Sequence, residues 1–198
     1  MGATKKMNEL DALNALLATI GSSPLTTTSN PQNADALTAQ NKLDAAVREI
    51  QNEKWYFNTE ENYPLPLGAD GKIAVPDNLI SIDSIGRFGE HADVAIRGSY
   101  LYDRRNHTYI FSSAITANVQ WCLGFDELPE TAKHYVVARA ARQFQEEMLG
   151  DPSLRTWTRE DEANARAKLI DEDLCQRKLS FGALPKLDPA VAMDFRDL

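Results

Sequence analysis

Ile115-Thr116-Ala117-Asn118-Val119-Gln120-Trp121-Cys122-Leu123 is where the fold is most plainly written. Ile115, Ala117, Val119, Trp121 and Leu123 alternate with Thr116, Asn118, Gln120 and Cys122. A period of two marks a strand with one face turned to a core. The residues before it have the same character. Leu79 to Ile85 reads as a strand with Ile80, Ile82 and Ile85 turned inward, and Val94-Ala95-Ile96-Arg97 as a shorter one. Tyr100-Leu101-Tyr102 and Tyr109-Ile110-Phe111 flank Asp103-Arg104-Arg105-Asn106-His107, which predicts a hairpin with a basic tip. Asp70-Gly71 is a turn signal followed by Ile73 and Val75. The prolines of Tyr63-Pro64-Leu65-Pro66-Leu67 keep that stretch extended. Together these segments predict a compact antiparallel sheet or small barrel.

On both sides the period changes from two to that of a helix. Leu10, Leu13, Leu17 and Ile20 predict a helix over Met7–Ile20, stopped by Gly21 and Pro24. Ala36, Ala39, Leu43, Val47 and Ile50 predict a second, from Asn33 or Asp35 to about Lys54. Trp55-Tyr56-Phe57 follows as an apolar anchor beneath its end. After Pro129, a third helix runs from Glu130 to Leu149, with Val136 or Val137, Ala140 or Ala141, Phe144 and Met148 as its stripe. Pro152 opens a fourth, to about Leu179, with Leu154, Trp157, Ala163, Ala167, Ile170 and Leu174 as apolar candidates. The fold class is therefore α+β: N- and C-terminal helix pairs forming one bundle, with a β-rich antiparallel lobe inserted. The expected boundaries are 1–58 and 126–180 for the bundle, 59–125 for the lobe and 181–198 for an extended C-terminal arm. That arm carries Phe181, Leu184, Leu187, Val191 and Phe195 with few neighbours to bury them against. A frayed terminus and an arm that docks on another subunit both fit this pattern.

The chain has 198 residues, a net charge of −8 and 43% apolar residues. This describes an ordinary globular protein. A sequence-nonspecific nucleic-acid binder carries a basic face or a high pI, whereas the pI here is about 4.9. Acidity of this kind repels DNA, which suits a surface that DNA must slide past. Cys122 and Cys175 form neither a disulfide framework nor a CxxC pair. No run approaches the ~18 apolar residues of a membrane span.

No motif for chemistry stands out. The glycine pairs Gly68/Gly71 and Gly86/Gly89 lack phosphate-loop spacing, and His91, His107 and His134 lack metal-ligand spacing. No catalytic residue, cofactor or metal is expected. Glycoside hydrolysis needs two carboxyls, one held protonated by burial. Glu60-Glu61, Asp126-Glu127 and Glu160 to Glu162 are the candidates, and polar neighbours mark them as surface or capping residues. A glycan hydrolase remains the alternative function. Arg104 and Arg105 are the candidate contacts to DNA phosphates or to an acidic partner, with plain turn solvation as the simpler reading.

The order of elements and several short motifs resemble the tail tubular protein A family, the head-to-tail adaptors, or gatekeepers, of short-tailed bacteriophages. The motifs begin with Met7-Asn8-Glu9-Leu10 leading through Leu13 to Gly21 and Pro24. Next, Ile50-Gln51 precedes Trp55-Tyr56-Phe57-Asn58, close to the family's W-x-F-N. Gly98-Ser99-Tyr100-Leu101-Tyr102-Asp103-Arg104 is similar to its GG-x-hydrophobic-YDR. Finally, Asp126-Glu127-Leu128-Pro129-Glu130 precedes a helix with Ala140-Ala141-Arg142-Gln143-Phe144. The resemblance implies a structural, ring-forming subunit of the virion tail, made in the host cytoplasm. The ring would be a dodecamer below the portal protein and above the nozzle protein (tail tubular protein B). Tail fibre protein would attach near that junction, and DNA would pass through the channel during ejection.

Overall fold

The computed structural model describes residues 5–28, 33–83, 93–149, 153 and 156–177. Helices α1 (Glu9–Ala18) and α2 (Ala34–Gln51) come first. Strands β1 (Thr59–Leu65), β2 (Leu79–Asp83), β3 (Val94–Arg97), β4 (Tyr100–Asp103) and β5 (Ile115–Trp121) follow. A short 3-10 turn at Phe125–Glu127 leads into α3 (Glu130–Met148) and α4 (Arg159–Gln176). The class is α+β, with helices at both ends and antiparallel strands between them.

Two apolar clusters hold this order together. The larger joins the helices. From α1 come Leu13, Leu16 and Leu17, from α2 Ala39, Leu43, Val47 and Ile50, and from α3 Val136, Ala140, Ala141 and Phe144. The α2 residues recur at helical spacing, and the alanines let the helices approach closely. On α3 the paired alternatives resolve to both members, since Val136 and Val137, and Ala140 and Ala141, are all buried. Met148 is not part of that stripe and is exposed near the end of α3. Helix α1 starts at a reciprocal cap. The Asp11 N–H donates to Asn8 Oδ1 at 2.8 Å, and the Asn8 N–H donates to the Asp11 carboxylate at 3.2 Å. The chain before α1 is tied to α3, where Lys133 donates to the Met7 carbonyl at 2.8 Å.

The smaller cluster lies on one face of the strands. In the three-stranded sheet, β5 is central and pairs antiparallel with β1 and β2. Ala117 and Val119 from β5 meet Leu65, Ile73, Val75, Leu79 and Leu101. An irregularity between Leu79 and Ser81 shifts the register of β2. It turns Leu79 and Ile82, not Ile80, towards the cluster; Ile85 lies outside the described residues. Strand β1 has its own bulge between Glu60 and Tyr63, with Asn62 at φ +57°. Asparagine tolerates that left-handed conformation, and the Asn62 N–H donates to the Asn118 carboxamide at 3.1 Å.

The hairpin predicted for Tyr100–Tyr102 with Tyr109–Phe111 is corrected. Strand β4 pairs instead with β3, through the tight link at Gly98-Ser99. Gly98 sits at φ +60°, which a two-residue connection requires and glycine adopts freely. The return segment makes one bridge, Asp103 with Thr108, and then leaves: the Phe111 N–H donates to the Gly71 carbonyl at 2.8 Å.

Helix α4 also departs from expectation. It begins at Arg159, capped by Thr158, and not near Pro152. Leu169 is its fully buried residue, Trp157 and Ile170 pack on the helical core as expected, and Ala163, Ala167 and Leu174 face solvent. Leu154 lies outside the described residues. The rotation has a polar cause. Glu162 meets Arg139 and Arg142 of α3. One turn past Leu169, Glu172 accepts from the Tyr56 hydroxyl at 2.7 Å and Asp173 from the Tyr56 N–H at 2.6 Å.

The two clusters meet at the end of α2. Gln51 and Asn58 are fully buried there and Gln120 nearly so. The Gln51 side chain donates to the Leu123 carbonyl and accepts from the Leu123 N–H, both at 2.8 Å. The Gln51 carbonyl accepts from the Asn58 carboxamide at 2.8 Å and from Gln120 at 2.6 Å. Replacing Gln51 by Ala leaves the part-buried Leu123 backbone groups without these partners. It should lower the free energy of unfolding by about 3 kcal/mol, read as a shift of the urea midpoint at unchanged slope.

Candidate functional site

In the turn after β4, Asp103 organises the backbone. Its carboxylate accepts from the Arg105 N–H at 2.8 Å, from the Asn106 N–H at 2.9 Å and from the Asn106 carboxamide at 2.8 Å. The Asn106 bonds, backbone first, hold this carboxyl below its ordinary pKa. Arg104 is paired with Asp93. Arg105 is exposed at the tip. The structure thus brings Arg104 and Arg105 together on one turn but engages the first of them locally.

Beside this turn lies a surface that the sequence reading missed. Opposite residues of an antiparallel pair share a face, and Ala95 pairs with Tyr102 and Arg97 with Tyr100. The Arg97 guanidinium stacks 3.7 Å from the centre of the Tyr102 ring. Tyr109 meets Tyr102 edge-on at 4.9 Å, and the Lys72 ammonium lies 5.1 Å from the centre of the Tyr100 ring. Tyr100 and Tyr109 are each 39% exposed and Ile110 is 55% exposed. The available signal was the placing of Tyr100 and Tyr102 on either side of the buried Leu101, which turns both rings outward.

Several of the candidate carboxylates are engaged in the structure. Asp126 accepts from the Glu9 N–H at 3.0 Å, and Glu127 from the Gly124 N–H at 2.8 Å. Glu162 is paired with two arginines of α3. Glu60 and Glu61 are exposed beside a shallow cleft of about 170 Å³ that Lys54, Asp83 and Arg177 also line. Among the described residues, Glu9 is the carboxyl held above its ordinary pKa, by burial first and then by Asp44 and Asp126. No group of three or more His, Cys, Asp or Glu side chains among the described residues is placed to hold a metal ion. No helix among them is long and apolar enough to cross a membrane.

A sequence profile described as tail tubular protein matches residues 10–179, which takes in both helix pairs and all of the strands. The chain belongs to the tail tubular protein family. It is a structural component of a phage tail and hence of the virion. Tail tubular protein A of Klebsiella phage KP34 is 27% identical over 175 residues, covering 88% of this chain and 91% of that protein. The W-x-F-N motif has a clear structural meaning in this fold. The Trp55 indole donates to the Ile50 carbonyl at 2.8 Å, Phe57 packs against the helical core, and the Asn58 carboxamide reaches both Gln51 and Trp121.

Tyr56, the variable position of that motif, fastens α4. Burial and then the hydrogen bond to Glu172 push its phenol well above the ordinary value of 10.0. A phenol whose pKa is raised by folding contributes stability that is complete below its unfolded pKa and is lost as pH rises towards the folded value. Stability should therefore fall as pH climbs above about 10. Tyr56→Phe should flatten that alkaline fall while costing about 1 kcal/mol at neutral pH through the lost hydrogen bond. Urea unfolding at a series of pH values measures both effects.

Proposed function

We propose that this chain forms the adaptor ring between the portal protein and the nozzle protein (tail tubular protein B) of a short-tailed phage, with DNA leaving through its channel. The observation that carries the reading is the extent of the family match, residues 10–179, together with the 27% identity to tail tubular protein A of Klebsiella phage KP34 over nearly the whole of both chains. A ring subunit must offer two different faces, so that each copy meets the next head to tail. A helical cluster and a strand cluster joined end to end supply dissimilar faces. The net charge of −8 disfavours adhesion to passing DNA.

The subunit acts by assembly and has no catalytic step. Twelve copies close the ring, the gatekeeper of the packaged genome, and tail fibre protein attaches near the junction with the nozzle. Arg104 and Arg105 contact DNA or an acidic partner from the turn after β4. The C-terminal segment 181–198 lies outside the described residues. Its Phe181, Leu184, Leu187, Val191 and Phe195 make it an arm that docks on the portal or on a neighbouring subunit.

Mixing the protein with purified portal particles and weighing the products by mass photometry tests the reading. A gain of about twelve subunits per portal is expected for a closed ring. Absence of any complex from folded, full-length protein would sink the adaptor reading. Deleting 181–198 should weaken portal capture or ring closure, and a truncated protein that assembles like the full chain would remove the arm from the account.

A further inference from the structure

The outer face of the β3–β4 ribbon and the outer face of α4 are chemical complements on one chain. On the ribbon and in the segments beside it, exposed Tyr100, Tyr109 and Ile110 lie with Lys72 and Arg97, whose charges sit over tyrosine rings. Tyrosine and arginine are the residues that concentrate binding energy at protein interfaces. On α4, Glu160, Ala163, Ala167, Asp171 and Leu174 are all exposed. Their spacings of three and four place them along one side of the helix. Leu174 is 49% exposed, and this apolar side is turned away from the bundle because Leu169, Glu162 and Glu172 occupy the packed side.

We infer that the aromatic and basic face of the ribbon docks on the outer face of α4 in the neighbouring copy. The inference rests on the ring reading above and gives that ring its contact surface. Lys72 and Arg97 meet Glu160 and Asp171, while Tyr100, Tyr109 and Ile110 cover Ala163, Ala167 and Leu174. Small alanines allow the rings to approach the helix backbone. The two faces belong to different elements, so the contact is heterologous and repeats from copy to copy. A protein occupant of the ribbon face is favoured over DNA because three acidic side chains, Asp70, Asp93 and Asp103, lie in the adjoining segments, Asp93 paired with Arg104.

Charge reversal on the full-length chain tests the pairing. One variant carries Lys72→Glu with Arg97→Glu, a second carries Glu160→Lys with Asp171→Lys, and a third carries all four changes. A separate Ile110→Ser variant removes apolar contact without altering charge. Self-association is read by sedimentation velocity, alone and on portal particles, with thermal unfolding as the check on folding. Each reversed pair should weaken self-association about tenfold or more, as like charges placed opposite do. Ile110→Ser should weaken it, and the fourfold variant should recover most of the wild-type assembly. Reversed variants that assemble like wild type would overturn the inference while leaving the ring reading intact. Weakening without recovery in the fourfold variant would overturn the pairing and assign the ribbon to another occupant, such as the nozzle protein or DNA. A wild-type chain that stays monomeric both alone and on portal would end the ring reading itself, and the inference with it.

Discussion

A helix that ends inside a protein must find partners for its last carbonyls, and in this fold the end of α2 is where that demand is met. The Ile50 carbonyl accepts from the Trp55 indole, and the Gln51 carbonyl from the carboxamides of Asn58 and Gln120. These donors come from the segment leaving the helix and from the central strand β5. Orphan carbonyls buried without partners would cost several kcal/mol together. The strand lobe is therefore not simply appended to the helices. Its central strand completes a helix, and the Gln51 side chain in turn pairs with both backbone groups of Leu123, just beyond that strand. Ser81 extends the network by donating to Gln120 at 2.8 Å, which ties β2 to the same point. A junction made of directional buried hydrogen bonds resists sliding in a way that an apolar contact does not.

The helices differ in how they are held. Helices α1, α2 and α3 bury continuous apolar faces against one another, and their relative positions follow from packing density. Helix α4 buries Leu169, packs Ala165 and Ile170 more loosely on the same core, and is further held by polar groups: Glu162 to two arginines, Arg166 to Glu53, and Glu172 and Asp173 to Tyr56. Ion pairs and hydrogen bonds are geometrically selective but contribute little net stability when partly exposed. The result is a helix with a well-defined seat and an apolar side left outward. This is a division of labour between elements that build the apolar core and an element that presents a surface.

Much of this was legible along the chain. The stripe Ala36, Ala39, Leu43, Val47 and Ile50 is buried as its spacing requires, and Ala117 and Val119 lie on the cluster side of β5. The aromatic triplet after α2 is an anchor, with Trp55 buried and Phe57 against the helical core. The β3–β4 pairing was not legible, because Tyr109-Ile110-Phe111 has strand character and only the Gly98 turn, closing at shorter range, decides which neighbour β4 takes. The outward ribbon face was missed for a related reason. Tyrosines flanking a leucine read as strand, and the pattern does not say which side faces a core.

By itself the sequence determined the kinds of element, their order, the buried face of α2, parts of those of α1 and α3, and the membership of the family, because amphipathic period, capping residues and short motifs are properties of neighbouring residues. Tertiary structure alone decided three things: the rotation of α4, the partner of β4 and the burial of Gln51, Asn58 and Gln120. The sequence put Ala163, Ala167 and Leu174 on the packed side of α4 with Ile170; only Ile170 packs on the core, and the side that meets Arg139 and Arg142 of α3 carries Glu162 and Leu169 instead. Gln120 occupies the polar side of an alternating strand, and only the end of a helix lying some seventy residues earlier (|i−j| = 69) turns that side into an interior. Polarity along a chain records what a residue prefers in water. It does not record the partners that distant segments bring, and those partners decide what is buried.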